Sequence, residues 1–411
     1  MNRDFLFGHQ EKDTALGSFR ILDLADSKGQ YCGKLLADLG ADVIKVEKLE
    51  GDEARKIPPF KNDIPCVEGS LYFNYYNSNK RSITLDLERK EGQSIFKKLA
   101  ETADVIIETF QPRKSKEIGL DYSALKKIKK GIILVSITGF GQTGPYKNYL
   151  SNEIIAFAMS GAMYEAGSVE NPPCLAPGNQ TYGMASAYAA LGVLIALYYR
   201  LTTGLGQQID ISLQASMARF PALTGLHLIG YDIDSRIHER GGQRQKRDPA
   251  FGLYPCKDGH VHVGTWTHSQ WDLLVEWMGK PEELADPLWR NFMFRNQFHE
   301  VVEDLITRFT MSHAKAELYE QGQNRRVIMG PVNTITDFVK NPQIIDRKYF
   351  VGLEHSYMGK QTYPGAPYKL SETPWKLERP APRIGEHNKE IYEELGYSED
   401  EMAQLKESSI I

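Results

Sequence analysis

The residues with the most chemistry to offer are scattered along the chain. His260 and His262 stand two apart, so a strand would place both imidazoles on one face, a spacing that can bind metal. No third ligand is near them, and they read as solvated histidines of a hairpin. The four cysteines, Cys32, Cys66, Cys174 and Cys256, form no CxxC pair. They indicate neither a zinc site nor a disulfide framework, and reduced thiols are expected. Gly139-Phe140-Gly141-Gln142-Thr143-Gly144 has GxGxxG spacing after a strand-like run, but Pro145-Tyr146-Lys147-Asn148-Tyr149 opens no apolar helix, so the dinucleotide reading fails. No Walker A sequence, GxSxG elbow or HExxH is present. Asn79-Lys80-Arg81, just before a strand, could hold phosphate; alone it reads as a surface turn. Lys126, Lys127, Lys129 and Lys130 read as a solvated helix end. No metal is expected.

The elements that must position these residues alternate in kind. Apolar runs at 19–24, 42–47, 82–87, 105–107, 132–137 and 208–213 read as strands. Helical spacing appears between them at 32–39, 92–103 and 123–129, and this alternation argues for βαβ units and a parallel sheet. The run Tyr188–Tyr199 is too short to cross a bilayer and reads as a helix buried all round. The expected domains are a large Rossmann-like domain over 1–225, a polar linker at 226–250, a small α+β domain at 251–335, and a crossover that returns to the large domain over 336–411. Pro364, Pro367, Pro374, Pro380 and Pro382 mark an extended crossing segment. The tail 388–406 reads as an amphipathic helix. With 411 residues, 41% hydrophobic and 25% charged, the composition is that of a soluble globular protein. Lys plus Arg is 49 and Asp plus Glu is 53, a balance that argues against nucleic acid as partner. The charged opening, 1–13, lacks the apolar run of a signal peptide. A cytoplasmic, non-membrane protein is expected.

Six segments in order carry a resemblance. They are Leu36 to Glu47 (LADLGADVIKVE), Asn77 to Asp86 (NSNKRSITLD), Ala103 to Phe110 (ADVIIETF), Gly139 to Pro145 (GFGQTGP), Ala196 to Gln207 (ALYYRLTTGLGQ) and Gly385 to Asn388 (GEHN). In this order and spacing the sequence resembles the class III CoA-transferases over nearly its whole length. The resemblance implies a Rossmann-like large domain built from both chain ends, a small α+β domain, and two chains threaded as interlocked rings. It implies a coenzyme A thioester as substrate or ligand and no further cofactor.

In this family an aspartate attacks the acyl-CoA thioester, and the mixed anhydride then exchanges acids. Alignment back from Gly204-Leu205-Gly206-Gln207 puts that position at Tyr182, and no Asp or Glu lies between Asn171 and Asp210. No residue is therefore assigned as the catalytic nucleophile. Glu153 falls where a family glutamate lies near the nucleophile and reads as a supporting carboxylate. Asn152 and Tyr182 or Thr181 fall at the racemase branch's histidine and aspartate, which disfavours racemase chemistry. The resemblance places CoA-binding positions at Lys48, Leu85, Thr109 and Phe110. Another basic position falls on Glu117, with Lys114 or Lys116 to compensate. The chain looks like the aspartate-less subunit of a heteromeric member that moves CoA from a donor such as succinyl-CoA to an acid such as benzylsuccinate in anaerobic aromatic degradation. Its expected partner is a homologous, aspartate-bearing subunit. The alternatives are a homodimeric transferase using Glu153 and a non-catalytic acyl-CoA-binding or scaffolding protein.

Overall fold

The computed structural model describes residues 14–219, 229–233, 235, 240 and 248–411. The charged opening and most of the polar linker read at 226–250 lie outside these residues. Contacts divide the chain into two units: 1–162, 175–233 and 348–411 form one, and 163–174 with 234–347 the other.

The first unit is built on six parallel strands: β1 Arg20–Asp23, β2 Asp42–Glu47, β3 Arg81–Thr84, β4 Val105–Glu108, β5 Ile133–Thr138 and β6 Gln208–Ser212. Their spatial order is β3-β2-β1-β4-β5-β6, so the direction of winding reverses between β1 and β4. The middle strands are apolar and β-branched on both sides because helices cover both faces. On one face Ile21, Val105, Ile107 and Val135 pack with Leu36, Ala185, Ala189 and Val193. On the other, Leu22, Ile44, Ile83 and Ile106 pack with Ile95, Leu99, Leu125, Ile391 and Tyr392. The fold is thus the α/β class with a parallel sheet that the alternation predicts.

Three expectations need correction. The apolar run at 188–199 lies within a longer helix, Gln180–Thr203, of 24 residues, which by length and composition alone could span a bilayer. It ends at Gly204, whose φ of 73° is left-handed and suits glycine. This helix is not buried all round. Ala185, Ala189, Val193 and Ala196 are fully buried, while Leu191, Ile195 and Tyr198 are 52%, 58% and 71% exposed. A helix laid on one face of a sheet can bury only one side against it.

The proline-rich stretch is not an unpacked crossing segment throughout. Gly359–Pro364 is strand β11, paired antiparallel with β10, Phe350–His355, and Trp375 and Leu377 pack against this hairpin. The tail is two helices, Asn388–Glu394 and Glu399–Glu407, with Gly396 between them at φ 87°.

The second unit holds an antiparallel sheet of β7 Phe251–Cys256, β8 Gly259–Gly264 and β9 Ile328–Pro331. The β7–β8 hairpin was legible from Lys257-Asp258-Gly259. Its core is Trp271, Leu274, Val302, Ile306 and Leu318. His260 and His262 lie on β8, and the His262 ring meets Phe251 edge-on at 4.9 Å. Among the described residues no group of three or more His, Cys, Asp or Glu side chains could hold a metal.

Candidate functional site

The reversal between β1 and β4 leaves a crevice beyond the carboxyl ends of the strands, where ligands bind in open α/β sheets. A cavity of about 680 Å³ lies there. Leu24 after β1, Glu47 and Lys48 at the end of β2, Leu85 after β3, and Thr109 and Phe110 after β4 all line it. The four positions Lys48, Leu85, Thr109 and Phe110 therefore converge on one space. Lys114 lines it too, whereas Glu117 and Lys116 are not among its walls. Glu117 is exposed and pairs with Arg113 at 2.9 Å.

Two hydrogen bonds close the crevice's floor. The Asp26 N–H donates to the Thr109 hydroxyl at 3.0 Å, joining the ends of β1 and β4. The Phe110 N–H donates to the Glu108 carboxylate at 2.6 Å. Glu108 is buried beside Thr109, and burial pushes its carboxyl up to about 7.

Most of the charges lining the cavity are already matched. Glu47 takes two bonds from the Arg55 guanidinium, at 2.7 and 2.8 Å, and both side chains are almost wholly buried. Lys45 pairs with Asp52 at 2.7 Å. Lys114 pairs with Glu88 at 2.9 Å. Lys48 is exposed and makes no ion pair among the described residues. An anionic ligand would therefore meet Lys48 first and would compete with Glu88 for Lys114.

The Asn79-Lys80-Arg81 group is neither a surface turn nor a phosphate site. Lys80 is 1% exposed and donates to Asp23 at 2.7 Å, the Gln30 carbonyl at 2.8 Å and Asn77 at 2.9 Å. All three of its protons are used. Arg81 is held by Asp42, Glu390 and Glu394. The backbone makes room for this: a Cβ on Gly33 would stand 2.4 Å from an Asp23 oxygen, so only glycine lets the helix Gln30–Asp38 lie against the buried pair.

Tyr182 lies in the first turn of the long helix. Asn179 precedes that helix in a left-handed conformation and gives it no side-chain cap. Glu153 supplies the cap from elsewhere: its two oxygens accept from Thr181 N at 2.9 Å and Tyr182 N at 3.2 Å. A carboxylate at a helix N-terminus satisfies otherwise unpaired donors and the helix dipole together. Glu153 itself opens the helix Glu153–Met159, which Asn152 caps through Ile155 N at 3.1 Å. The Tyr182 side chain packs half-buried against the sheet's core, and burial pushes its phenol up to about 12. At pH 7 only about one molecule in 10⁵ would carry the phenolate.

Four further tyrosines stand nearby, and the sequence reading passed over them. The helix Leu71–Asn77 carries Tyr72, Tyr75 and Tyr76 at i, i+3 and i+4, the spacing that puts side chains on one helix face, so the signal was present. With Tyr31 they form a continuous group of rings around Tyr76.

Comparison with known proteins agrees with the geometry. The model for CoA-transferase family III matches residues 16–388. The chain is 36% identical over 398 residues, 94% of its length and 96% of the relative's, to succinyl-CoA:(R)-benzylsuccinate CoA-transferase subunit BbsE of Thauera aromatica. It is 31% identical to succinyl-CoA–D-citramalate CoA-transferase of Chloroflexus aurantiacus, across 98% of this chain and 99% of that one. A CAIB/BAIF family protein of Brucella suis superposes with a TM-score of 0.83 at 29% identity, covering 93% of this chain and all of that one. Family model, near-full-length relatives and fold agree: this chain belongs to CoA-transferase family III.

Proposed function

We propose that this chain is the supporting subunit of a heteromeric CoA-transferase whose nucleophilic aspartate is carried by a homologous chain. The observation that carries the reading is the start of the long helix. Tyr182 stands where the family resemblance puts the nucleophile, with its phenol held neutral by burial, and both oxygens of Glu153 are spent on backbone N–H groups. Tyr182 offers almost no phenolate at neutral pH, and an attack by Glu153 would draw it away from the two backbone N–H groups it caps. This favours the heteromeric reading over a homodimer that uses Glu153. A carboxylate nucleophile elsewhere in the assembly would form the mixed anhydride that the exchange of acids requires.

Under this proposal the cavity beyond β1–β4 takes the CoA thioester. Leu85, Thr109 and Phe110 line the path of the nucleotide and pantetheine, and Lys48 meets the phosphates. Succinyl-CoA is the proposed donor and benzylsuccinate the proposed acceptor, supported by the similarity to BbsE. The partner chain would cover the bare side of the long helix, where Leu191, Ile195 and Tyr198 lie open. Interlocked rings are the proposed form of the pairing, and the cytoplasm is the proposed setting, in keeping with four free cysteines.

The test is reconstitution. The chain is co-purified from its host, the associated protein is identified by mass spectrometry, and exchange is assayed with each protein alone and together. The proposal expects an aspartate-bearing homologue and activity only in the mixture. Full turnover by the homogeneous chain, abolished by Glu153→Gln, would overturn it in favour of a homodimer.

A further inference from the structure

The cavity beyond β1–β4 is acidic for a site that takes a nucleotide. Seven carboxylate residues line it against two lysines, Lys48 and Lys114. Most of those carboxylates are spent. Besides the pairs of Glu47, Asp52 and Glu88, three more meet a lysine or arginine of their own. The seventh, Glu50, is exposed, and among the described residues its side chain has neither an ion pair nor a hydrogen bond.

The backbone sets Glu50 beside Lys48. The Gly51 N–H donates to the Lys48 carbonyl at 2.9 Å and closes a turn directly after β2. Gly51 takes φ 85°, a conformation that favours glycine, and a Cβ there would stand 2.8 Å from Ile384. Asp52, next in the chain, is pinned by Lys45 at 2.7 Å and by the Gln30 side chain at 2.9 Å. The turn is thus held by β2 on one side and by a buried pair on the other. It presents one cation and one anion, two residues apart, to the same cavity.

The two charges suit different parts of a ligand. Lys48 suits a diphosphate. In open α/β sheets a carboxylate just past the second strand accepts from ribose hydroxyls, whereas a phosphate on that ribose needs a cation there. CoA carries such a phosphate at the ribose 3′ position, with a charge of about −1.5 to −2 at pH 7. Among the described residues lining the cavity, no second cation is free to meet it. Lys114 is shared with Glu88, and the wall's buried cations, Lys45 and Arg55, are committed to Asp52 and Glu47.

We propose that Glu50 is a specificity-determining residue: it accepts from the nucleotide's ribose hydroxyls and repels a ribose phosphate, so that this chain holds dephospho-CoA more tightly than CoA. The assignment rests on the CoA-transferase reading and specifies which form of the nucleotide arm this cavity accepts.

The experiment is calorimetric titration of the full chain with CoA and with dephospho-CoA at low salt. Repulsion from one exposed charge is worth about two- to fivefold in affinity, so dephospho-CoA should bind about two- to fivefold more tightly. Glu50→Gln keeps an acceptor for the hydroxyls and loses the charge. It should equalise the two ligands by strengthening CoA, with dephospho-CoA within about twofold of its starting affinity. Glu50→Lys should reverse the order, and both preferences should shrink in high salt. Thermal melts check that each variant is folded, and two variants at one exposed position keep the test alive should either fail. CoA binding as tightly as dephospho-CoA to the unaltered chain overturns the assignment. So does a Glu50→Gln variant that shifts both ligands alike, which would make Glu50 a general charge and not a reader of the ribose. In both of those cases the ligands still bind, and the CoA-transferase reading stands; if neither ligand binds the unaltered chain, that reading of the cavity fails and the assignment fails with it.

Discussion

Removing the Arg55 guanidinium tests how the cavity wall is held. Arg55 is 1% exposed. It donates twice to Glu47, once to the Pro382 carbonyl at 2.9 Å and once to Glu68 at 3.0 Å, and its guanidinium lies 3.7 Å from the centre of the Phe73 ring. Arg55→Met keeps most of the stem's volume but leaves Glu47 buried without its cation. Breaking a buried pair from one side typically costs ~3–5 kcal/mol. Glu47 would retain bonds from the Ser82 hydroxyl at 2.6 Å and Asp52 N at 2.9 Å, which argues for the lower part of that range. The orphaned Pro382 carbonyl adds about 1 kcal/mol. The expected total is about 4 kcal/mol. The double variant Arg55→Met/Glu47→Gln removes the stranded charge, and its cost should fall to about 1–2 kcal/mol. Urea unfolding of the four members of the cycle gives the coupling, and CoA titration reports the cavity, since Glu47 lines it. A single-variant cost under about 1 kcal/mol, or a double variant no more stable than the single, would refute the view that a buried charge pair holds this wall.

Four other outcomes are expected. The purified chain alone should neither exchange CoA between acids nor yield a hydroxylamine-trappable acyl adduct; a trapped adduct mapped to Glu153 or Tyr182 would contradict this. Tyr182→Asp should give at most trace exchange, because the new carboxylate would sit beside Glu153 and Asp26, and misplacing it by ~1 Å costs on the order of 100-fold; rates like those of active relatives would point to a recently silenced site. In CoA titrations, Lys48→Ala should weaken binding by up to about fivefold and Glu88→Gln, which frees Lys114, should strengthen it by less, both effects shrinking in high salt. Glu108 is raised in the folded state, so its protonated form favours folding: that stability is present below about pH 4.5 and is lost as pH rises to about 7, by at most about 3 kcal/mol. Glu108→Gln should flatten that slope in unfolding measured from pH 5 to 8, and an unchanged slope would exclude Glu108 as its source.

The sheet was legible because each strand is a local signal. Runs such as Ile132 to Ile137 are apolar and β-branched, and the helix-sized segments between them leave few arrangements other than a parallel sheet. The positions expected to bind CoA came from resemblance, and they line one cavity because side-by-side parallel strands bring their carboxyl ends together. What was not legible depends on distant partners. Lys80 looks like a surface lysine until Asp23, 57 residues earlier, is brought beside it. The role of Glu153 at the start of the long helix needs a contact across 28 residues. The bare side of that helix was misread for a related reason: composition reports how apolar a helix is, but not how many neighbours it has.

That bare side has a consequence for how the protein is made. The inner stripe of the long helix is sealed by strands and helices that all lie before residue 219, so it can be buried while later parts of the chain are still being synthesised. Among the described residues, nothing within this unit seals Leu191, Ile195 and Tyr198. Every chain without a covering partner carries that apolar strip to its chaperones, and its lifetime then depends on how soon a partner arrives. Under the proposed pairing, abundance of this chain should track synthesis of the partner rather than its own, and surplus chain should be lost to aggregation or proteolysis.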